Sequence, residues 1–317
     1  MTRFVITIDV EECFDVTWVL DALKTRGLAG TFFLDVFASS GEAGTSVGDA
    51  ARQLVESGMD TQLHTHVEHL GMAKGMSGLD AAAQREVIAG GAGRLREWTG
   101  VTPTWHRAGD LQASKATLAA CREEGIRGDT SFIYGWPQCA WLGVPREQRN
   151  NLQWIDGVLE LPVTTFLTLP FSRSFRHYDL DVCTLAELTA VARKAVEAGQ
   201  DTLVMLVHST SFFSFRDGRF LADERKRAKT TRLLDAVCGM EGLDVSNLSR
   251  ITGPEAAGGT ASGNDDLCAG VALTYGRAWA HFDRSAKHKA FALAPILLCA
   301  AVAAIVWLVS AAKRWTS

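Results

Sequence analysis

No CxxC pair occurs among the seven cysteines of this chain, and their spacing follows no pattern. That argues against a disulfide framework. Such cysteines read as small buried residues in a reducing compartment. Basic clusters are missing as well. The 32 Lys and Arg against 36 Asp and Glu leave a net charge of −4, so nucleic acid is not an expected partner. The opening "MTRFVITIDV" lacks the charged region, apolar core and cleavage site of a signal peptide, and reads as a first β-strand. No internal repeat is visible. The "GGAG" at 90–93 lies inside a helical pattern with no strand before it, which argues against a phosphate-binding loop. Histidine is scarce, with eight in all. Three of them, His64, His66 and His69, nevertheless crowd into "TQLHTHVEH" (61–69) together with Glu68. That stretch is either a metal site or a polar turn.

What is present is an alternation. Strand-like runs at 4–10, 30–36, 60–66, 102–108, 126–132, 158–166, 202–209 and 242–248 are separated by helical patterns at 17–27, 47–58, 79–100, 114–125, 184–199 and 223–240. Gly27 stands where the first helix should stop. Alternation of this kind implies an α/β fold with a mostly parallel sheet covered by helices. Seven to eight units fit a distorted (β/α) barrel better than a short open sheet. The stretch 133–157, with Trp136, Trp141 and Trp154, reads as an ordered loop beside a substrate groove. The barrel is assigned to 1–252 and a Gly- and Ala-rich linker with a juxtamembrane segment to 253–289. A transmembrane helix is expected at 290–312, where Phe291 to Ala312 carry no charge over 22 residues. As a helix that run spans roughly 33 Å, enough for one bilayer crossing. With no signal peptide ahead of it, the barrel is expected on the cytoplasmic side of a single-pass membrane protein.

In a parallel barrel the chemistry gathers at the C-terminal ends of the strands. The polar residues fall there: Asp9, Glu11 and Glu12 after the first strand, His64 and His66 after the third. His106, Arg107 and Asp110 follow the fourth, Asp129 sits on the fifth, and His208 and Ser209 follow the seventh. A carboxylate with two imidazoles makes a three-ligand metal site with positions left open. A metal there lowers the pKa of bound water and polarises a carbonyl. A second carboxylate can act as general base, a histidine as general acid, and an arginine can hold the base.

The order "TIDVEE" (7–12), "HTHVEH" (64–69), "HRAGD" (106–110), "GDTS" (128–131), "LELPVT" (159–164) and "LVHS" (206–209) resembles the polysaccharide deacetylase family, carbohydrate esterase family 4. The resemblance covers about 4–250. It implies a NodB-type distorted barrel that removes an acyl group, usually acetyl, from an N-acylated amino sugar of a glycan or lipid-linked sugar. It also implies a divalent metal cofactor, zinc first, with cobalt or nickel as alternatives. By the same resemblance Asp9 matches the general base, Arg107 its partner and His208 the general acid. Glu11 and His64 match metal ligands, and Asp110 and Asp129 match supporting positions. One departure stands out. The family's second metal histidine, four residues after the first, falls on Glu68. His69, His66 and Glu68 are therefore all open as the third ligand, with His69 preferred. Two rival readings stand beside this one: a deformylase or other non-peptide C–N hydrolase, and an inactive barrel that binds glycan or a partner.

Overall fold

The computed structural model describes residues 1–38, 46–72, 75–169, 174–252, 267–270 and 273. The chain opens with β1 (Thr2–Val10), rich in β-branched residues and almost wholly buried. A strand buried on both faces reads as a continuous apolar run, and "FVITIDV" is one. Next come α1 (Thr17–Lys24), β2 (Thr31–Asp35), α2 (Val47–Glu56), β3 (Asp60–Thr65) and α3 (Ala81–Thr99). After them follow β4 (Trp105–Ala108), α4 (Lys115–Glu123) and β5 (Gly128–Asp129). Capping boxes begin α2 at Ser46 and Asp49 and α4 at Ser114 and Thr117, so side chains satisfy backbone N–H groups that the first turn leaves open. Two antiparallel pairs follow: β6 (Gln153–Ile155) with β7 (Val158–Glu160), and β8 (Thr165–Leu167) with β9 (Phe175–His177). The remainder is α5 (Leu185–Glu197), β10 (Thr202–His208), the hairpin β11 (Phe213–Arg216) and β12 (Arg219–Ala222), α6 (Glu224–Cys238) and β13 (Leu243–Ser246).

The main sheet runs β10-β1-β2-β3-β4-β5-β7-β6, with β13 also on β1. Its pairings are parallel except β6 with β7. The sheet curls but does not close through strand pairing. Between β7 and β10 the gap is spanned by single bonds, from Thr164 N–H to the Val204 carbonyl (3.2 Å) and from Leu206 N–H to the Tyr178 carbonyl (3.0 Å). This α/β fold with a curled half-barrel sheet fits the distorted barrel expected from the alternation. Its interior is filled by Val5, Phe33, Trp105, Leu159, Leu161 and Val204. The opposite face packs Phe4, Ile6, Ile8 and Leu34 against helix residues such as Leu20, Leu54, Ile88 and Leu188. Each such side chain contributes about 1.5–3 kcal/mol by leaving water.

Three expectations need adjustment. The fifth strand is shorter than the run 126–132. The hairpin β11–β12 was not expected, although Asp217 and Gly218 (φ +50° and +76°) supply the left-handed pair that a tight hairpin turn needs. Leu267 to Ala269, read as linker, are buried beside β8, with Leu167 N–H on the Leu267 carbonyl (2.8 Å) and Ala269 N–H on the Leu167 carbonyl (3.0 Å). Among the described residues no helix is long and apolar enough to cross a membrane. The run at 290–312 lies outside the described residues, as does most of 253–289.

Candidate active site

Strand alternation decides which side chains meet. In a strand, residues two apart share a face and neighbours do not. β3 and β4 pair with His64 opposite Arg107. These two side chains and His66 turn into the barrel. Thr65 and His106, one residue away, turn toward the helices. Each strand end therefore supplies two different environments.

The inner face gathers Glu11, His64 and His66, whose ligand atoms all lie within 4.8 Å of one another. Glu11 Oε2 is 2.7 Å from His66 Nε2 and 3.2 Å from His64 Nε2. His64 Nδ1 lies 2.8 Å from the Arg107 carbonyl oxygen. A carbonyl only accepts, so Nδ1 carries a proton, and Nε2 is the ring nitrogen turned toward Glu11. Bonding of one ring nitrogen to a carbonyl is the usual support for a metal-ligating histidine. Burial works against charge on all three groups, but their mutual contacts win. The imidazoles hold the Glu11 carboxyl far below its usual range, and Glu11 with other nearby carboxylates raises His66 to about 9. His64 is raised as well, against burial, by the Asp9 charge and the Glu11 bond. His66 fits only because residue 109 is glycine: a Cβ there would sit 2.6 Å from His66 Nδ1.

Beside this cluster lies a buried ion pair. Arg107 Nη1 donates to Asp9 Oδ1 at 2.7 Å, with both side chains almost fully buried. The guanidinium also donates to Thr7 Oγ1 (2.9 Å), the Thr130 carbonyl (3.1 Å) and Thr130 Oγ1 (3.3 Å), and stacks over Phe33 at 4.5 Å. A buried charge is tolerated when its donors are met in this way. His208 ends β10 opposite Asp9 in register, with its Nε2 3.7 Å from Glu11 Oε1 and its side chain one-third exposed.

The structure separates the remaining candidates. His69 is not brought into the cluster. It lies in the short helical turn Val67–Leu70, and its Nδ1 is 2.6 Å from Oδ2 of the fully buried Asp35. That carboxylate needs a partner, and it also accepts from the His66 and Phe37 N–H groups. Glu68 approaches His66 Nδ1 at 3.4 Å, on the side away from Glu11. Asp110 stands near the same edge, within 4.8 Å of His66 and Glu68. Asp129 is not at the rim. On the outer face it meets His106 Nδ1 at 2.5 Å, while His106 Nε2 reaches Thr65 Oγ1 at 2.9 Å. Glu160 adjoins Asp129 in register and is fully buried. Burial and the neighbouring Asp129 charge push its carboxyl well above the usual range. Asp35, Thr7, Thr130, Gly109 and Glu160 are the residues that sequence reasoning missed. Asp35 had a readable signal, since it ends β2 as Asp9 nears the end of β1.

Residues 3–128 match the family model for polysaccharide deacetylase. A solved structure from Mycobacterium smegmatis, assigned to the polysaccharide deacetylases, is 18% identical; it covers 78% of this chain and 88% of its own, with a TM-score of 0.55. A family 4 carbohydrate esterase from Streptomyces lividans in complex with acetate is 14% identical over 83% and 96%, with a TM-score of 0.48. A carbohydrate esterase family 4 pseudoenzyme from Bacillus anthracis is 11% identical over 78% and 64%, with a TM-score of 0.46. No curated protein matches the chain. The matched stretch holds Asp9, Glu11, His64, His66 and Arg107, and over these residues the chain is similar to the polysaccharide deacetylase family.

Proposed function

We propose that the protein is a metal-dependent deacylase that releases an acyl group, foremost acetyl, from the nitrogen of an amino sugar. The observation that carries this reading is the Glu11–His64–His66 cluster standing beside the buried Asp9–Arg107 pair. One carboxylate and two imidazoles suit zinc, with cobalt and nickel as workable ions. The bonded Nδ1 of His64 and the room that Gly109 leaves for His66 fit those two rings as ligands. In this reading Glu11, His64 and His66 hold the ion, and His69 does not.

When bound, the ion supplies Lewis acidity and lowers the pKa of a water molecule. Arg107 fixes the Asp9 carboxylate, which takes up a proton as general base. His208, at the exposed edge beyond Glu11, donates a proton to the departing amine. Thr7 and Thr130 hold the guanidinium so that Asp9 cannot swing away.

The test is metal content and turnover of the full chain on N-acetylglucosamine oligomers. One ion per chain is expected, lost in His66→Ala and kept in His69→Ala. Asp9→Asn should keep the ion and lower turnover by about 10²–10⁴-fold. A His69→Ala protein stripped of metal, or full activity in Asp9→Asn, sinks these assignments. We further propose that the run at 290–312 spans a membrane once, with the barrel on the cytoplasmic side. The 22 uncharged residues support the span. Protease digestion of sealed inside-out vesicles should then cleave the barrel, and protection would refute that sidedness.

A further inference from the structure

A cavity of about 670 Å³ opens in the loop that follows β5. Phe132, Tyr134, Trp136, Val144 and Phe175 line it, with Arg146 as the charged side chain in its wall. The loop that forms it reaches the edge of the candidate site. Gln138, in the same loop, donates to the Asp110 carbonyl (3.2 Å), and Asp110 neighbours His66. The apolar cluster behind the cavity includes Leu111, next to Asp110, and Leu206, two residues before His208. On its other side the Trp136 ring meets His177 edge-on at 5.1 Å.

The volume is about that of twenty waters at ~30 Å³ each, far more than an acetyl group needs. Among the described residues the lining contains no carboxylate and no carboxamide side chain. A sugar ring placed there would bury hydroxyls against carbon with few partners, which is costly. An alkyl chain would lose nothing on entry and gain dispersion contacts with aromatic faces. Arg146, whose guanidinium stands 5.5 Å over the Phe175 ring, keeps the cavity from being wholly apolar.

We propose that this cavity binds a hydrocarbon chain carried by the substrate. The inference rests on the deacylase reading for the identity of the head group at Glu11, His64 and His66. The chain is either a long N-acyl group or a lipid attached to the sugar's anomeric oxygen. Both share the same chemistry toward the cavity. Each buried methylene should tighten binding by up to about fourfold until the cavity is filled.

The test uses the full chain in phosphatidylcholine nanodiscs and two diazirine photoprobes. One is glucosamine N-acylated with a dodecanoyl chain, and the other is N-acetylglucosamine bearing a dodecyl chain on its anomeric oxygen. At least one probe should label peptides spanning 132–146 or containing Phe175. Ala140→Trp, at an exposed position of the cavity wall, should cut that labelling at least tenfold with metal content unchanged. Labelling by the first probe identifies the chain as the leaving acyl group, and by the second as a lipid anchor. No labelling of these peptides, or labelling that ignores Ala140→Trp, overturns the inference. Labelling requires no turnover. A labelled but inactive protein keeps the cavity assignment and removes the deacylase reading instead.

Discussion

His106 and Arg107 are neighbours in β4, yet they belong to different chemistries. Arg107 faces the barrel interior, pairs with Asp9 and stands beside the Glu11–His64–His66 cluster. His106 faces the helices, pairs with Asp129 and adjoins the neutral-leaning Glu160. Both are buried side-chain pairs on the same strand, and both tie β4 to other strands. The inner pair lies next to a cluster open to the rim through His208 and Glu11. The outer network is sealed under the sheet's helical cover, with His106, Asp129 and Glu160 all inaccessible. Buried polarity therefore does not mark function by itself; what separates the two is a route for a ligand.

The largest effect that sharpens this comparison comes from breaking each pair in turn. Arg107→Leu strands the buried Asp9, and His106→Leu strands the buried Asp129. Each should lose about 3–5 kcal/mol of stability in denaturant titration. The two should differ in what else is lost. On the proposed reading, Arg107→Leu removes turnover in the fraction that remains folded, whereas His106→Leu leaves folded protein that still binds a divalent metal. Loss of metal binding in folded His106→Leu would show that the faces are not independent.

Gly109→Ala probes the seam between the faces more gently. The added methyl would press on His66 Nδ1. Metal affinity, read by competition with a chelator, should fall by about 10–100-fold, as when a ligand's support is disturbed. Unchanged affinity would mean that His66 is not held as a ligand.

On the outer face the comparison is sharpened by pH. A carboxyl whose folded pKa is raised contributes stability fully below its unfolded value and loses it as pH rises. For Glu160 the unfolded value is near 4.5, and burial with the Asp129 charge raises the folded one. The stability of Glu160→Gln relative to the native chain should therefore grow above pH 4.5, by up to about 1.4 kcal/mol per pH unit. Glu160 titrates jointly with Asp129, so the slope reports on the pair. Parallel stability curves between pH 4 and 8 would contradict the assignment.

Much of the fold was legible. The helices lie within a few residues of their expected positions because apolar spacing and capping residues are local signals. The parallel order was legible because strand and helix alternate. The hairpin at β11–β12 was missed although its Asp-Gly turn was in plain view. The candidate residues were also legible as strand-end polar groups. Their grouping was not. The family resemblance, read with a longer turn, favoured His69, but the turn Val67–Leu70 carries its ring to Asp35, a residue 34 positions earlier.

The sequence by itself determined the alternation of strands and helices, the rim at which Asp9, Glu11, His64, Arg107 and His208 arrive, and the period-two pattern that lets His64 and His66 share a face. These follow from neighbours along the chain. Only the tertiary structure decided which face of each strand lies inside, so that Arg107 joins Asp9 while His106 joins Asp129. It also decided that His66 rather than His69 stands with Glu11. The physical reason is that a buried carboxylate must find its partner across strands, and no local pattern records which strand will supply it.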